Sequence, residues 1–590
     1  MTVMDSKAKL SKRNKEGYYI VKPVNSIKEM LKAAKDEAGD WDAYQYRIPD
    51  DPENGIRHIT YKEFYETTEN LGAALTDMGL GNAHIACLGD NSYPWIVAYL
   101  TVLKSAGVFV PIDRELPADD ILRIVNDSDS TAIFCGRRFE QMILDNRDRL
   151  PAIKYVISLD AEENTDDMYS MTALIERGRS FDRTEYDSLK SDENGLKMLV
   201  YTSGTTGIAK GVMLSEHNLV SGVYYGLQVS QPLSKGLSVL PYNHTYESVC
   251  DILVSIHKHS TLCINDSLKA VVKNLQLFKP DYIYLVPAFL ELFYSNIMRT
   301  LKKQGKDKLV FSMIEKSNKL RKVGIDMRKV FFGKITESFG GNLKKIVCGG
   351  APIRPEIGKF FGDIGIWVIG GYGITECSPL VSVNDESAND YNTVGRRLPC
   401  LEWKVDAPND EGIGEICVKG DVVMLGYYKQ PELTAQTMTA DGWIKTGDLG
   451  RIDDRGFTFI TGRKKDIIIT AGGKNISPAP MEDVIDTCPI VAHAVVVGDG
   501  KPFVSALIEL DPEMLHSWLE GQGLNADMTL AEASDNDAVR AFIQQYIDQA
   551  NANVSRAESV RKFAVLDEEF SQEHGTLTPS MKVVRPKVLQ

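Results

Sequence analysis

A chain of 590 residues exceeds what one hydrophobic core supports, so at least two domains are expected, and an apolar fraction of 43% is that of a globular protein. The formal charge of −14 excludes general binding to nucleic acid, which needs clustered Lys and Arg to meet phosphates. Nine cysteines stand singly with no C-x-x-C pair, which excludes a disulfide framework or zinc knuckle and fits a reducing cytoplasm.

The N-terminal MTVMDSKAKLSKRNKEG is charged and lacks the apolar stretch of a secretory signal, so it reads as a frayed, solvated tail. From His84 short apolar runs alternate with helical patterns: HIACLG, YPWIVAYLTVLKSA, GVFVPID, ADDILRIVNDSD and TAIFC. This predicts βαβαβ. The run from Trp95 to Ile112 holds Lys104 and Pro111, which argues against a membrane-spanning helix. The alternation resumes at LKMLVYTS, SVLPY, DYIYLVP, KKIVCGG and IWVIGGYG, predicting an α/β fold with a large N-terminal body of parallel-sheet subdomains.

Within that body YTSGTTGIAKG, Tyr201 to Gly211, follows the strand LKMLV and precedes a helix expected near Ser215. Strand, loop and helix in that order form a phosphate cradle. Gly204, Gly207 and Gly211 let backbone N–H groups approach an oxyanion, and Ser203, Thr205, Thr206 and Lys210 add donors and a charge. The spacing is not the Walker form, and such a loop by itself is more often a surface turn. His257, His259 and Cys263 read as a helix end entering the strand TLCIN, because no fourth metal ligand is near. Between Arg299 and Lys345 fourteen Lys and Arg stand against four Asp and Glu, interleaved with Leu309, Phe311, Met313, Ile314, Leu320 and Val323. This basic helical patch is either a solvated face or a contact for anionic lipid or another acidic partner.

After about Leu380 the Gly-punctuated runs EGIGEICVKG, GWIKTGDLG and IDDRGFTFITG predict a smaller β-rich subdomain. The charged GRKKD, Gly462 to Asp466, marks a hinge between domains of residues 1–462 and 463–590, the second a small mobile α+β domain. Absence of H-E-x-x-H, G-x-S-x-G and G-x-G-x-x-G weakens metalloprotease, hydrolase and dinucleotide readings.

The Tyr201 to Gly211 loop resembles the phosphate loop of the acyl-adenylate-forming superfamily, which includes acyl-CoA synthetases, adenylation domains of peptide synthetases and luciferases. Further motifs of that superfamily follow in order: GGAPI at Gly349 to Ile353, GYGITE at Gly371 to Glu376, TGDLG at Thr446 to Gly450, GRKKD, and LTPSMKVVRP near the C-terminus. The resemblance implies nucleotide contacts from Thr202, Ser203, Gly204, Thr205, Thr206, Gly207 and Lys210, and adenine packing on Gly350, Ala351 and Pro352. It makes Tyr372, beside Gly373, the adenine-stacking ring, Thr375 a phosphate contact and Glu376 the magnesium ligand. Asp448 then accepts hydrogen bonds from the ribose hydroxyls, with Arg463 reaching the same sugar.

Lys582 stands where the catalytic lysine of long-chain members lies, to act with Thr205 and with His244 of PYNHTYE, which would face the substrate carboxylate. Met581 replaces the usual Gly, so Lys587 and Lys562 remain alternatives to Lys582. Ser248 occupies the place of a common aromatic gate, leaving control of acyl access open.

Length, the basic helical insertion and the C-terminal motif resemble the long-chain fatty acyl-CoA ligase branch. That implies ATP, Mg²⁺, coenzyme A and a fatty acid as reactants and cofactors, with an acyl carrier protein as the alternative acceptor. A non-catalytic nucleotide-binding scaffold is the rival from another class. The family cycle further implies rotation about Lys465, bringing Ala471 to Lys474 to the active site for the second step. The single cysteines place the protein in the cytoplasm, and the lipid reading of the basic patch would add peripheral contact to the inner membrane face.

Overall fold

In the computed structural model, residue 7 and residues 9–48, 55–202, 209–552, 554–556, 558–571, 574–577 and 583–589 are described. The first apolar runs become the strands His84–Leu88, Val108–Pro111 and Ala132–Cys135, joined by the helices Tyr93–Lys104 and Ala118–Asp127. These strands pair in parallel and are buried almost end to end, which is why their sequences are continuously apolar rather than alternating. Helix Tyr93–Lys104 is capped by Ser92, whose side chain accepts the Trp95 N–H, and it carries Pro94 in its first turn. From Trp95 to Lys104 every side chain is buried, as an all-round apolar helix requires. Lys104 at its end is neutralised by Glu69 at 2.5 Å. Among the described residues no helix is long and apolar enough to cross a membrane.

The chain divides into two compact units. The first, residues 1–403, 418–444 and 453–458, holds an eight-stranded and a nine-stranded sheet. In the nine-stranded sheet Lys235–Ser238, Tyr282–Leu285, Lys345–Cys348 and Trp367–Gly373 run parallel and adjacent. The chain then reverses, and Leu380–Val383 pairs antiparallel with the end of Trp367–Gly373. The β-rich stretch expected from about Leu380 therefore begins later. Its own four-stranded sheet is built from Leu401–Asp406, Gly414–Gly420, Ile444–Ile452 and Thr458–Arg463, in that order.

The basic stretch folds as the helices Pro287–Lys303, Asp307–Arg321 and Arg328–Thr336, which pack on the core through Phe293, Val310, Ile314 and Phe332. Lys345, at its end, does not belong to a surface patch. It is fully buried and donates to Glu386 at 2.5 Å, Ser230 Oγ at 2.7 Å and the Gln231 carbonyl at 2.8 Å. Glu386 also accepts from Arg13 at 3.0 Å and the Tyr19 hydroxyl at 2.9 Å. The N-terminal tail is thus tied down from Arg13 onward rather than solvated, because a buried ammonium needs a carboxylate and the carboxylate gathers further donors.

The second unit, residues 404–417, 445–452 and 459–590, is α+β. Strands Val491–Val497 and Ser505–Leu510 pair antiparallel, and Lys562–Val565 joins the latter in parallel. Ile485, Leu519, Ile543 and Ile547 of three helices share one core with Val496 and Ile508 of this sheet.

Candidate active site

The strand Leu196–Thr202 does not lead through its loop into a helix. It turns back into a second strand, Lys210–Ser215, pairing Tyr201 with Gly211 and Thr202 with Lys210, and only then does helix Glu216–Val229 begin. The described flanks of the motif, Tyr201–Thr202 and Lys210–Gly211, are therefore paired antiparallel strands. The cause is the apolar run of KGVMLS, which continues the ladder before Ser215 and Asn218 form a reciprocal cap that starts the helix. Ser203, Gly204, Thr205, Thr206 and Gly207 lie outside the described residues.

At the base of this hairpin a chain of contacts reaches the GYGITE motif. The Lys210 ammonium sits 5.4 Å from the centre of the Tyr427 ring, and the Tyr427 hydroxyl donates to Glu376 Oε1 at 2.8 Å. Burial pushes the Tyr427 phenol above its ordinary pKa, and the Glu376 carboxylate adds to that, so the phenol stays a donor. Tyr427 arrives through the short strand Gly426–Tyr427, which pairs antiparallel with Val212 and Met213. Sequence reasoning missed it, since the residue lies 51 positions from Glu376 and its run LGYYKQ carries no motif. Glu376 and Thr375 share one half-buried turn, Thr375–Cys377. A half-buried carboxylate bonded by a phenol is a hard oxygen donor that suits a magnesium ion shared with phosphates.

The two glycine motifs meet. GGAPI follows the strand Lys345–Cys348, and Gly371–Gly373 ends the neighbouring strand, so both lie at carboxyl ends of parallel strands, where open α/β sheets bind ligands. A Cβ on Gly349 would come within 3.2 Å of the Gly371 carbonyl, and one on Gly373 within 2.2 Å of the Pro379 carbonyl. A bulge between Tyr372 and Gly373 re-aims the Tyr372 side chain. Gly350, at φ +88°, and the exposed Ala351 and Pro352 continue the rim.

Behind these glycines lies an apolar cavity of about 110 Å³. Its walls are Gly222 and Gly226 of helix Glu216–Val229, Tyr246 of PYNHTYE and Cys250 just after it, Tyr284 of the sheet, and the glycines of both motifs. Tyr246, and not the Ser248 position, supplies the aromatic wall, and its hydroxyl donates to the Val347 carbonyl at 3.1 Å. Ser248 is buried, donates to the His244 carbonyl at 3.1 Å and opens a π-helical stretch, Ser248–Leu253. His244 itself is exposed, two residues before Tyr246.

His257 lies in the last turn of the short helix Val254–Lys258, His259 caps it at φ 56°, and Cys263 lies on the buried strand Thr261–Ile264. Among the described residues no group of three or more His, Cys, Asp or Glu is arranged to hold a metal ion.

In the second unit Asp448 and Arg463 come together, with Arg463 Nε 2.8 Å from Asp448 Oδ1. Asp448 is buried on the strand Ile444–Ile452, where its N–H donates to Thr446 Oγ1 at 3.1 Å. Beside them Lys464 pairs with Glu415 at 2.7 Å, and that hydrogen bond holds the ammonium above its ordinary pKa. Lys582 lies outside the described residues. After it, the Val584 N–H donates to the Thr576 carbonyl at 2.8 Å, and Arg585 makes a forked pair with Glu482 at 2.7 and 2.8 Å. Lys587 lies exposed on the turn Arg585–Val588, and Lys562 opens the strand Lys562–Val565.

A model of the AMP-binding enzyme family matches residues 31–428, and one of the AMP-binding enzyme C-terminal domain matches residues 465–590. The chain belongs to the AMP-binding enzyme family. It is 32% identical over 545 residues to the long-chain-fatty-acid–CoA ligase FadD15 of Mycobacterium bovis, covering 88% of each chain. It is 29% identical to the long-chain-fatty-acid–CoA ligase ACSBG2 of Rattus norvegicus, covering 90% of this chain and 87% of that one. In fold it resembles the adenylation domain of a carboxylate reductase from Mycobacterium chelonae, with a TM-score of 0.77 at 21% identity over 96% of this chain and 90% of that one. A Mycobacterium tuberculosis fatty acyl CoA synthetase gives a TM-score of 0.63 at 21% identity, covering 96% and 97% of the two chains.

Proposed function

We propose that this acid–thiol ligase activates a long-chain fatty acid with ATP, releasing pyrophosphate to give an acyl-AMP, and then transfers the acyl group to coenzyme A with release of AMP. The observation that carries the reading is the shared wall: the glycines that the family motifs assign to adenine also line an apolar cavity. A carboxylate whose tail fills that cavity has its head beside the nucleotide. Relatives with 28–32% identity that are named long-chain-fatty-acid–CoA ligases support the acyl class.

In the first half-reaction the carboxylate oxygen attacks the α-phosphorus and pyrophosphate leaves. Thr202, the Ser203 to Gly207 loop, Lys210 and Thr375 bind phosphates, Gly350, Ala351, Pro352, Tyr372 and Gly373 bind adenine, and Asp448 with Arg463 binds the ribose. His244 orients the carboxylate, and the Lys582 ammonium offsets the charge that gathers as the new bond forms. Glu376, steadied by Tyr427, would hold Mg²⁺, which supplies charge neutralisation on the phosphates when bound. In the second half-reaction the coenzyme A thiol attacks the acyl carbonyl and AMP departs. We place the boundary of a mobile C-terminal domain at residue 463, with Lys465 as pivot, so that Lys582 withdraws for this step and Ala471 to Lys474 take its place.

The test is a purified-enzyme assay with ATP, carboxylic acids from acetate to stearate, and either coenzyme A or holo acyl carrier protein. Coenzyme A-dependent AMP release that favours long acids is expected. Release only with the carrier protein would make the chain an acyl-AMP ligase of that kind, and no ATP–pyrophosphate exchange with any acid would reduce it to a nucleotide-binding scaffold.

A further inference from the structure

The turn that carries His244 is pinned at both ends by side chains the proposed reaction does not use. At its start the Asn91 amide N–H donates to the Leu240 carbonyl at 2.7 Å, and the Asn91 amide oxygen accepts the Tyr242 N–H at 3.1 Å. At its end stands Glu247, fully buried where the short helix Thr245–Glu247 passes into the π-helical stretch Ser248–Leu253. Glu247 Oε1 accepts from Ser238 Oγ at 2.5 Å, and the N–H groups of Val239 and Leu240 also donate to this carboxyl group. Its side chain thus ties the end of the turn to the strand Lys235–Ser238, which leads into the turn. Asp251, four residues on, is fully buried as well, and its Oδ1 accepts from the Tyr282 hydroxyl at 3.3 Å. Four residues is close to one turn of such a helix, so the two carboxyl groups share a face, just as Tyr246 and Cys250 share the face that lines the cavity. Among the described residues Glu247 Oε2 and Asp251 Oδ2 have no hydrogen-bond partner.

The pair is faced by the phenols of Tyr44, Tyr242, Tyr246, Tyr282 and Tyr284 and by the Cys250 thiol, all kept neutral because burial pushes each of them up. None of these supplies a positive charge. Two carboxylates buried together against neutral neighbours cannot both ionise. Burial pushes both carboxyl groups up, and Asp251 adds to that at Glu247, while the donors at the strand end work the other way there. Those donors mark Glu247 as the ionised member, because hydrogen bonds to a carboxylate favour its charged form. We infer that Glu247 and Asp251 hold one proton between them, and that Glu247 is a positioning residue for His244. A proton on Asp251 Oδ2, donated to Glu247 Oε2, gives each of the two orphaned oxygens a partner. The positioning role rests on the proposed reaction, in which His244 orients the acid; the shared proton does not.

The proton is read without substrate, from infrared spectra of the full-length protein at neutral pH. The carbonyl-stretch band of a protonated carboxylic acid, shifted in deuterium oxide, should be present in the parent and missing from Asp251→Asn. Glu247→Gln should keep the band and move it, since the acceptor changes from a carboxylate to an amide. A band that neither variant alters, or no band at all, overturns the shared proton. Melting gives a second reading: above the ordinary carboxyl range the folded chain keeps a proton that the unfolded chain releases, so stability falls as pH rises. Asp251→Asn should show a flatter profile than the parent, and parallel profiles count against the pair. For the positioning role, Glu247→Gln should raise KM for the acid in ATP–pyrophosphate exchange by about tenfold, the scale of weakened hydrogen bonds to a charged group, and leave KM for ATP unchanged. Equal rises in both KM values, or none, would reduce Glu247 to a structural residue. A parent with no exchange at all would remove the positioning role together with the proposed reaction, while the infrared and melting readings still decide the proton.

Discussion

The Tyr427 hydroxyl fixes one oxygen of Glu376, and the two consequences can be separated by mutation. Glu376→Ala should abolish ATP–pyrophosphate exchange. Tyr427→Phe keeps the carboxylate and removes only its orienting partner, so exchange should survive while the half-saturating magnesium concentration rises by about tenfold. A Tyr427→Phe enzyme with an unchanged magnesium requirement would show that the phenol has no part in holding the metal. Glu376, Asp448 and Arg463 were proposed from the sequence because short motifs surround each of them. Tyr427 was not, because strand pairing across a long separation brings it in. The Asp448–Arg463 contact was implied for both residues by one shared ligand, the ribose, and the structure adds that they also bond directly to each other.

At the scale of elements, parallel strands and their helices were legible wherever an apolar run was bounded by turn residues, as from His84 to Cys135. The phosphate-loop region was misread as strand, loop and helix. Its second strand, KGVMLS, is short and runs straight into a helix cap, so strand and helical signals overlap there. The apolar cavity proposed for the acyl chain was invisible in sequence because its wall comes from five separated segments. Gly226 offers a direct probe of it: a Cβ there meets only Leu380 Cδ2 at 3.5 Å, so the backbone tolerates a side chain that then projects into the cavity. Gly226→Leu should raise KM for palmitate by about tenfold or more, on the scale of about 1–3 kcal/mol for overpacking an apolar site, and change KM for butyrate little. Equal effects on both acids would place the acyl chain elsewhere.

The two half-reactions make opposite demands on the molecule as a whole. Lys582→Ala should lose adenylation by about 10²-fold or more, the scale for removing a preorganised charge contact, yet still convert supplied acyl-AMP and coenzyme A to thioester. Lys465→Pro, by fixing φ near about −65°, should spare adenylation and stop the thioester step. If Lys582→Ala slows both steps equally, the alternating use of the C-terminal domain is wrong. Stability should carry its own pH signature. Burial pushes Lys197 from the ordinary 10.5 down to about 8, so between those values the unfolded chain binds the extra proton. Stability attributable to this group therefore rises with pH from about 8 toward 10.5 and is lowest below that window. Urea melts across the window should show Lys197→Met with a flatter profile than the parent and a higher midpoint at neutral pH.

The three donors on Glu386 also impose a timetable on synthesis. Lys345 emerges 41 residues before its carboxylate and Arg13 emerges 373 residues before it. At roughly 5–20 residues per second the ribosome leaves the N-terminal arm without its anchor for roughly 20–75 s. Partners of Ser11 and Tyr19 at Gln231 and Gln228 emerge earlier, so it is the bonds of Arg13 and Tyr19 to Glu386 that form late, and Lys345 lacks that carboxylate for some seconds of the interval. A fusion placed ahead of Arg13 must therefore leave the arm free to reach Glu386 late.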